Sequence, residues 1–441
     1  MPHFSLRTAL VIAAAMAFAP PAISATFTPN TFFDATDAIP GDGHCDTDIS
    51  LPGDQCSLRA AVMEANATPA ADTIQLDLVG GSYILSIPNT SGDENAAETG
   101  DLDIRASLTI QSNAGLLSTI DGGGLDRVLH VQGTTDLVLS GLIIRNGHAT
   151  DSNSAHQDYF GGGISLNNTG DNLIQFCIIE DNVANAGGGI FDGAIGNTSI
   201  YYSVIRNNRA DVNIGVTNPE GSAIRAQGND LLIQSVSIYG NAMLGSGAGN
   251  RGSISLHDGS LQMYSSTVDG DNQAGISAYR ADVTLNNVTL SANASQGLSW
   301  GNLNNEATKL HIRNSIIAGN GTDCFVNPQA GATIDIDGHN IDSDGSCGLS
   351  TAPADGNQSG VQLDWMLGPL NTAINLPARF PWPIGPATDT GNPSLPVPAN
   401  PDADACVLYD QRGVQRTTGA CDVGAVESVL LFKNGFEGIP I

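Results

Sequence analysis

Histidine, carboxylate and tyrosine side chains gather just after a turn at Gly147, as His148, Asp151, His156, Asp158 and Tyr159. Imidazole beside carboxylate can ligate a metal ion or pass protons as acid and base. The spacing matches no metal-binding pattern, so a polar solvated loop stays open as the alternative. A second gathering lies near the N-terminus: Asp34, Asp37, Asp42, Asp46 and Asp48, with Gly41 and Gly43. Carboxylates with turn glycines suit a Ca²⁺ loop, and Asp42, Asp46 and Asp48 are its candidate ligands. Their order is not that of an EF-hand, and loop-capping roles are the alternative. The third set is spread through the chain: Ser140, Gln175, Tyr201, Gln234, Tyr264, Asn286, Arg313 and Asp337, with His311 two residues before Arg313. Rings that stack on sugars, and amides that bond hydroxyls, suit carbohydrate. Tyr201, Gln234, Tyr264, His311 and Arg313 are therefore candidate ligand contacts, although outward strand residues are polar in any case.

The third set becomes a line because it belongs to a repeat. Each member stands seven residues before a turn residue: Gly147, Asn182, Asn208, Asn241, Asp271, Asn293, Asn320 or Asp344. Eight before each turn is an aliphatic residue or Met (Leu139, Ile174, Ile200, Ile233, Met263, Leu285, Ile312, Ile336), and three before it another aliphatic. Spacings of 35, 26, 33, 30, 22, 27 and 24 residues separate the turns. Ten-before and eight-before positions alternate with period two, which is strand periodicity. One such strand cannot bury its apolar face alone, whereas stacked copies can. Asn and Asp suit the turns because they tolerate left-handed backbone, and their stacked side chains can form ladders. A second strand follows most turns, marked by small residues and an aliphatic: Gly162-Gly163-Ile164, Gly188-Gly189-Ile190, Ser222-Ala223-Ile224, Gly252-Ser253-Ile254, Ala274-Gly275-Ile276 and, more weakly, Gln296-Gly297-Leu298. Insertions concentrate in the loop between turn and second strand, one edge of a solenoid and often its binding edge.

Residues 1–25 read as a secretory signal, with Arg7, an apolar stretch from Ala9 to Ala19, and a small-residue cut at Ile23-Ser24-Ala25. No later stretch approaches a membrane span. The chain carries a formal charge of −29, with 52 Gly and 14% charged residues. That charge argues against nucleic acid and anionic membranes as partners, and against polyanionic sugars unless a cation bridges them. Seven cysteines in an exported chain imply disulfides, and proximity pairs Cys45–Cys56, Cys324–Cys347 and Cys406–Cys421, leaving Cys177 as a small buried residue. Ser57 is a good helix N-cap, and Leu58, Ala61, Val62 and Ala65 form one apolar helical face that can close the solenoid's first end. Residues 350–428 are Pro-rich without a repeat and read as an irregular cap on the last coils. Their Asp410, Arg412, Arg416, Asp422 and Glu427 are dense enough for a site, but read better as an ion-pair network.

Cys56-Ser57-Leu58-Arg59-Ala60-Ala61, with Ala65-Asn66 and Asp72-Thr73-Ile74, resembles the CSLREA-type N-terminal domain of exported bacterial proteins. That family usually has Glu where this chain has Ala60, so half of a capping box is lost. Leu367-Gly368-Pro369-Leu370, Asp410-Gln411-Arg412-Gly413, Arg416 and Cys421 to Glu427 resemble a choice-of-anchor Q-type C-terminal domain; Gly385 to Asp389 departs from its pattern. The resemblance covers roughly residues 30–428. It implies an all-β chain, a right-handed single-stranded parallel β-helix of pectin-lyase-like type with a short N-terminal helical cap and an irregular C-terminal cap. The division is then 1–25 signal, 26–105 N-terminal cap and first strands, 106–349 coils, 350–428 C-terminal cap and 429–441 tail. The tail, with its Gly435-Phe436-Glu437, resembles short ends of other exported proteins.

That fold class hosts enzymes and binding proteins alike, so function must be read from residues. Polygalacturonase-type hydrolases pair carboxylates in Asn-x-Asp and Asp-Asp motifs beside Gly-His-Gly and Arg-x-Lys; the last three do not occur in the coils, and Asn340-Ile341-Asp342 is an Asn-x-Asp without those companions. Lyases need a base and a group that neutralises a uronate. Lysine stands only at 309 and 433, and no spacing singles out an arginine among Arg206, Arg209, Arg225, Arg251, Arg280 and Arg313. The expectation is a secreted or cell-surface, adhesin-like and non-catalytic protein that binds an extracellular polysaccharide or surface component along its side. The alternative is a polysaccharide lyase or glycoside hydrolase, Ca²⁺-dependent or not.

Overall fold

The structure is a computed structural model. It describes residues 23–89, 95–149, 159–214, 218–245, 251–301, 306–336, 338–401, 403–416 and 421–428. Most of the expected signal and the whole tail lie outside these residues.

The repeat folds as its spacing requires. Strands of successive coils pair in parallel and in register, so that Leu139, Ile174, Ile200, Ile233, Met263, Leu285 and Ile312 form one buried column. The three-before residues, Ile144 to Ile317, form another. The small-pair strands make a separate nine-stranded sheet running from Leu102–Ile104 to Thr322–Asn327. In it Leu129, Ile164, Ile190, Ile224, Ile254, Ile276 and Leu298 stack, and the weaker Gln296-Gly297-Leu298 copy keeps register. Parallel strands joined by crossovers wind right-handed, and the chain is a right-handed parallel β-helix. The loops after Asn182, Asn208 and Asn241 add a small sheet of their own: Val183–Ala184, Arg209–Asp211 and Ala242–Leu244.

The turn residues form the ladder that their stacking allows. Asn182 Nδ2 donates to Asn208 Oδ1 at 3.0 Å and Asn208 Nδ2 to Asn241 Oδ1 at 3.2 Å. Asn293 Nδ2 repeats this on Asn320 at 3.0 Å. Each of these amides also donates to a carbonyl of the preceding coil, as Asn208 does to Ile179 O at 2.9 Å. The left-handed residue is not the ladder residue, as the turn rule implied, but the one before it: Asn146, Asp181, Asn207, Gly240, Gly270, Ala292 and Gly319. The ladder amide must point inward, so its neighbour takes the bend.

The first end is closed by helix α1, Leu58–Ala67, on the strands Asp72–Leu76 and Leu102–Ile104. The Ser57 hydroxyl accepts from Ala60 N at 3.0 Å. The helix is buried on more than the predicted apolar face, because Arg59 and Glu64 also point inward. Arg59 binds Asp34 through Nε at 2.7 Å and donates to the carbonyls of Ala97, Gly100 and Asp101. Ala60 is fully buried, so a longer side chain there has no water to reach.

All three expected disulfides form, and Cys177 is free and buried; burial pushes its thiol up to about 12. The Pro-rich segment does more than meet the last coils. It runs along the flank on outward residues from Ser237 to Ile341. Gln411 Nε2 donates to Ser237 Oγ at 2.7 Å, Arg379 pairs with Asp269, and Ala425 N donates to Thr289 Oγ1 at 3.0 Å. Val423, Met366 and Ala387 cover Ile316 and Ile341. The ion-pair reading of its charges holds: Arg412 pairs with Asp410 at 2.6 Å and Arg416 with Glu427 at 2.7 Å.

A candidate ligand-binding groove

Between the eight-before and the three-before residue of each coil the chain turns a corner on a residue with positive φ. Down the stack these corners are Gly141, Phe176, Tyr202, Ser235, Ser265, Asn287 and Asn314. Asn and Gly take that conformation readily, but a bulky aromatic there is an outlier and often marks a functional site. Phe176 has φ 54° and Tyr202 φ 47°. Their rings stack with centroids 5.3 Å apart and planes 6° apart. They remain 52% and 36% exposed, so they form an open apolar platform rather than part of the core.

The platform lines a groove of about 1200 Å³. One wall is residues 112–117, where Leu116 and Leu117 are exposed; the other is residues 372–377 of the flanking segment. Gly141 leaves the coil before Phe176 without a side chain. Arg206 and Arg412 line the groove, and among the described residues no Asp or Glu does. Arg206 is held by Glu180 and by the Tyr239 hydroxyl at 3.0 Å. Its own pKa is raised, first by Tyr239, against burial. Arg412 lies over Phe380, 4.9 Å from the ring centre. The groove thus offers stacking surface, hydroxyls and amides, and two guanidinium groups already neutralised.

The predicted outward line exists: Ser140, Gln175, Tyr201, Gln234, Tyr264, Asn286 and Arg313 are register partners; Asp337 is outside the described residues. Only its first half is open. Ser140, Gln175, Tyr201 and Gln234 are half-buried beside the corner column. Tyr264 is 1% exposed and Arg313 5%, so neither can meet a ligand as the sequence reading expected. The flanking segment is the cause. Asn286 donates to Ala403 O and Ala405 O, Arg313 Nε holds Asp404 at 2.8 Å, and His311 Nδ1 lies 3.0 Å from Pro401 O. His311 and Arg313 anchor this segment.

The early loop is only partly described. Asp151, His156 and Asp158 lie outside the described residues. Tyr159 is buried with its ring edge-on to Phe160 at 4.4 Å, and Phe160 stacks on Phe191. His148 is half-buried; burial, and then the Arg209 charge, hold it below the ordinary imidazole value. The N-terminal carboxylates do not converge on a Ca²⁺ site. Asp42 Oδ1 accepts from His44 N, Asp46 Oδ1 from Asp48 N, and Asp48 Oδ1 from Ser50 N, each a local turn cap.

Among the described residues one place brings metal-ligand types together: Asp101, Asp103 and His130, with ligand atoms within 4.8 Å of one another. A guanidinium already stands there, with Arg127 Nε 2.6 Å from Asp101 Oδ2 and another of its nitrogens 3.3 Å from His130 Nδ1. Burial lifts the Asp101 carboxyl to about 6, with Arg127 opposing and Asp103 adding. A cation would have to displace Arg127. His130 Nδ1 lies 3.1 Å from Asp103, so acid-base chemistry suits this cluster better than metal binding.

No family model matches the chain, and no curated protein does. Among solved structures it is similar to the crystal structure of pectate lyase Pel9A, at 13% identity and a TM-score of 0.48, over 93% of this chain and 98% of that one. So slight a likeness transfers no activity.

Phe176 and Tyr202 carry no weight in a strand-pattern reading, since they fall at the corner six residues before the turn. A signal was present: that slot otherwise holds Gly, Ser and Asn, and two consecutive coils break it with aromatics. The Asp101–Asp103–His130 group had a weaker one, an Asp-x-Asp on a strand ahead of the recognised repeats.

Proposed function

We propose that this protein is a secreted or cell-surface rod that binds glycan in the groove at the Phe176–Tyr202 corner, without turning it over. The open stacked pair, held in strained backbone beside Gln175, Tyr201 and Gln234, carries the reading. Sugar rings present apolar faces to such a platform, while hydroxyls meet amides at its rim. The disulfides fit an oxidising, extracellular setting. No helix of the described residues is long and apolar enough to cross a membrane. The CSLREA-like and choice-of-anchor Q-like ends support export and surface display. A second reading, a polysaccharide lyase or hydrolase, draws on the buried Asp101–Asp103–His130 cluster.

The test is a Phe176→Ala, Tyr202→Ala double variant against the polysaccharide that wild type retains. Both side chains are exposed, so unfolding should change little. Each lost stack costs roughly 1 kcal/mol, and Kd should rise by about tenfold or more. An unchanged Kd would remove the groove from the account.

A further inference from the structure

The longest uninterrupted run of large apolar residues in the sequence is Val429-Leu430-Leu431-Phe432, and it begins where the described fold ends, at Ser428. Side chains of this kind gain by leaving water, so the run calls for a partner surface.

The last described residues are pinned at the rim of the groove. Arg412, which lines it, donates from Nη2 to Glu427 O at 2.6 Å. Val426 packs with Ala378, the residue after Pro377 of the groove wall. Four extended residues span about 13 Å, enough to carry the run from this rim into the groove. What the groove offers matches what the run needs. It presents Leu116, Leu117, Phe176, Tyr202, Ile374 and Leu376. Its two guanidinium groups are already paired, Arg206 with Glu180 and Arg412 with Asp410. An uncharged apolar segment therefore enters without stranding a charge.

We infer that residues 430–432 of this chain seat in the Phe176–Tyr202 groove and must leave before another ligand enters it. A segment tethered this close meets its site at an effective concentration on the order of millimolar, so weak contacts suffice to keep it there. The seating does not depend on what the other ligand is; competition with glycan rests on the reading of the groove given above.

Hydroxyl-radical footprinting of the whole protein, without glycan, tests this by reading side-chain accessibility. Wild type is compared with a Leu430→Ser, Leu431→Ser, Phe432→Ser variant, whose changes lie beyond both caps and leave the net charge as it is. Phe176 and Tyr202 should be modified about fivefold faster in the variant. Phe325, half-exposed on the last strand of the nine-stranded sheet, should keep its rate. Trp365 and Trp382, 69% and 45% exposed, are a second apolar surface near the run, since Asp422 accepts from both Ser428 N and Asp389 N, and the Thr388 hydroxyl donates to Trp382 O. Equal rates at Phe176 and Tyr202 in the two proteins, or a rise confined to the two tryptophans, overturns the inference. Retention on the polysaccharide that wild type binds is measured alongside, and the variant's Kd should fall about fivefold. Faster modification of Phe176 and Tyr202 without that gain upholds the seated tail and overturns the glycan reading instead.

Discussion

An Arg59→Met variant is expected to lose about 3–5 kcal/mol of stability in the N-terminal unit, the usual cost of breaking a buried pair from one side. Methionine fills much of the space but donates nothing. Asp34 would keep its bonds from Ser86 N and Ile87 N and lose the guanidinium at 2.7 Å. The carbonyls of Ala97, Gly100 and Asp101 would lose their donors in a place where water is excluded. A solenoid's stability is close to a sum over neighbouring units, so the damage should stay local. Amide exchange should accelerate across residues 58–104 while the coils from Ile174 to Ile317 keep their protection. Unchanged exchange in the first stretch would mean that Arg59 is no keystone.

Asp271→Asn should stabilise the protein at neutral pH by a few kcal/mol, and the gain should vanish near pH 4. Asp271 is the acid in a ladder otherwise made of amides. Its Oδ1 accepts from Asn241 N at 2.6 Å, while its Oδ2 stands where its neighbours present N–H groups and makes no hydrogen bond of good geometry. Burial pushes the carboxyl from 3.8 up to about 7, against the Ser253 and Asn241 donors that favour its charge. Between those values the folded chain keeps a proton that the unfolded chain has released. Stability therefore falls as pH rises through that window, and the loss is complete above about 7. Asparagine has no proton to lose, and its amide can donate to Asn293 Oδ1 and to the Ile238 carbonyl, as Asn241 does to Ile205. Urea unfolding of both proteins from pH 4 to 8 reads this directly. Parallel stability curves would show that Asp271 is charged when folded.

The coils were legible because their physics is local and repeated. An apolar residue eight before each turn and another three before it can be buried only by stacking in register, and Leu139 to Ile312 do so. The disulfides followed from proximity, and the ladder from stacked Asn side chains. What the pattern could not reveal is long-range. Nothing in the strand holding Arg313 announces that Asp404, 91 residues later, will cover it. Tyr264 fits the outward line as well as Tyr201 does, yet one lies under the flanking segment and the other beside the groove. Arg59 was read only as one residue of a helix N-terminus, but its role depends on carbonyls about 40 residues away. The Phe176–Tyr202 platform was missed for another reason: period-two reasoning has no slot for a corner residue, and the strain that marks it is a backbone property.

The most direct test of the central claim is to incubate the protein with a panel of plant, algal and bacterial polysaccharides, following retention, new reducing ends and the ultraviolet absorbance of unsaturated uronates. The account predicts retention on at least one polymer, lost in the Phe176→Ala, Tyr202→Ala variant, with no new ends and no absorbance. Turnover of any polymer would contradict it and move attention to Asp101, Asp103 and His130.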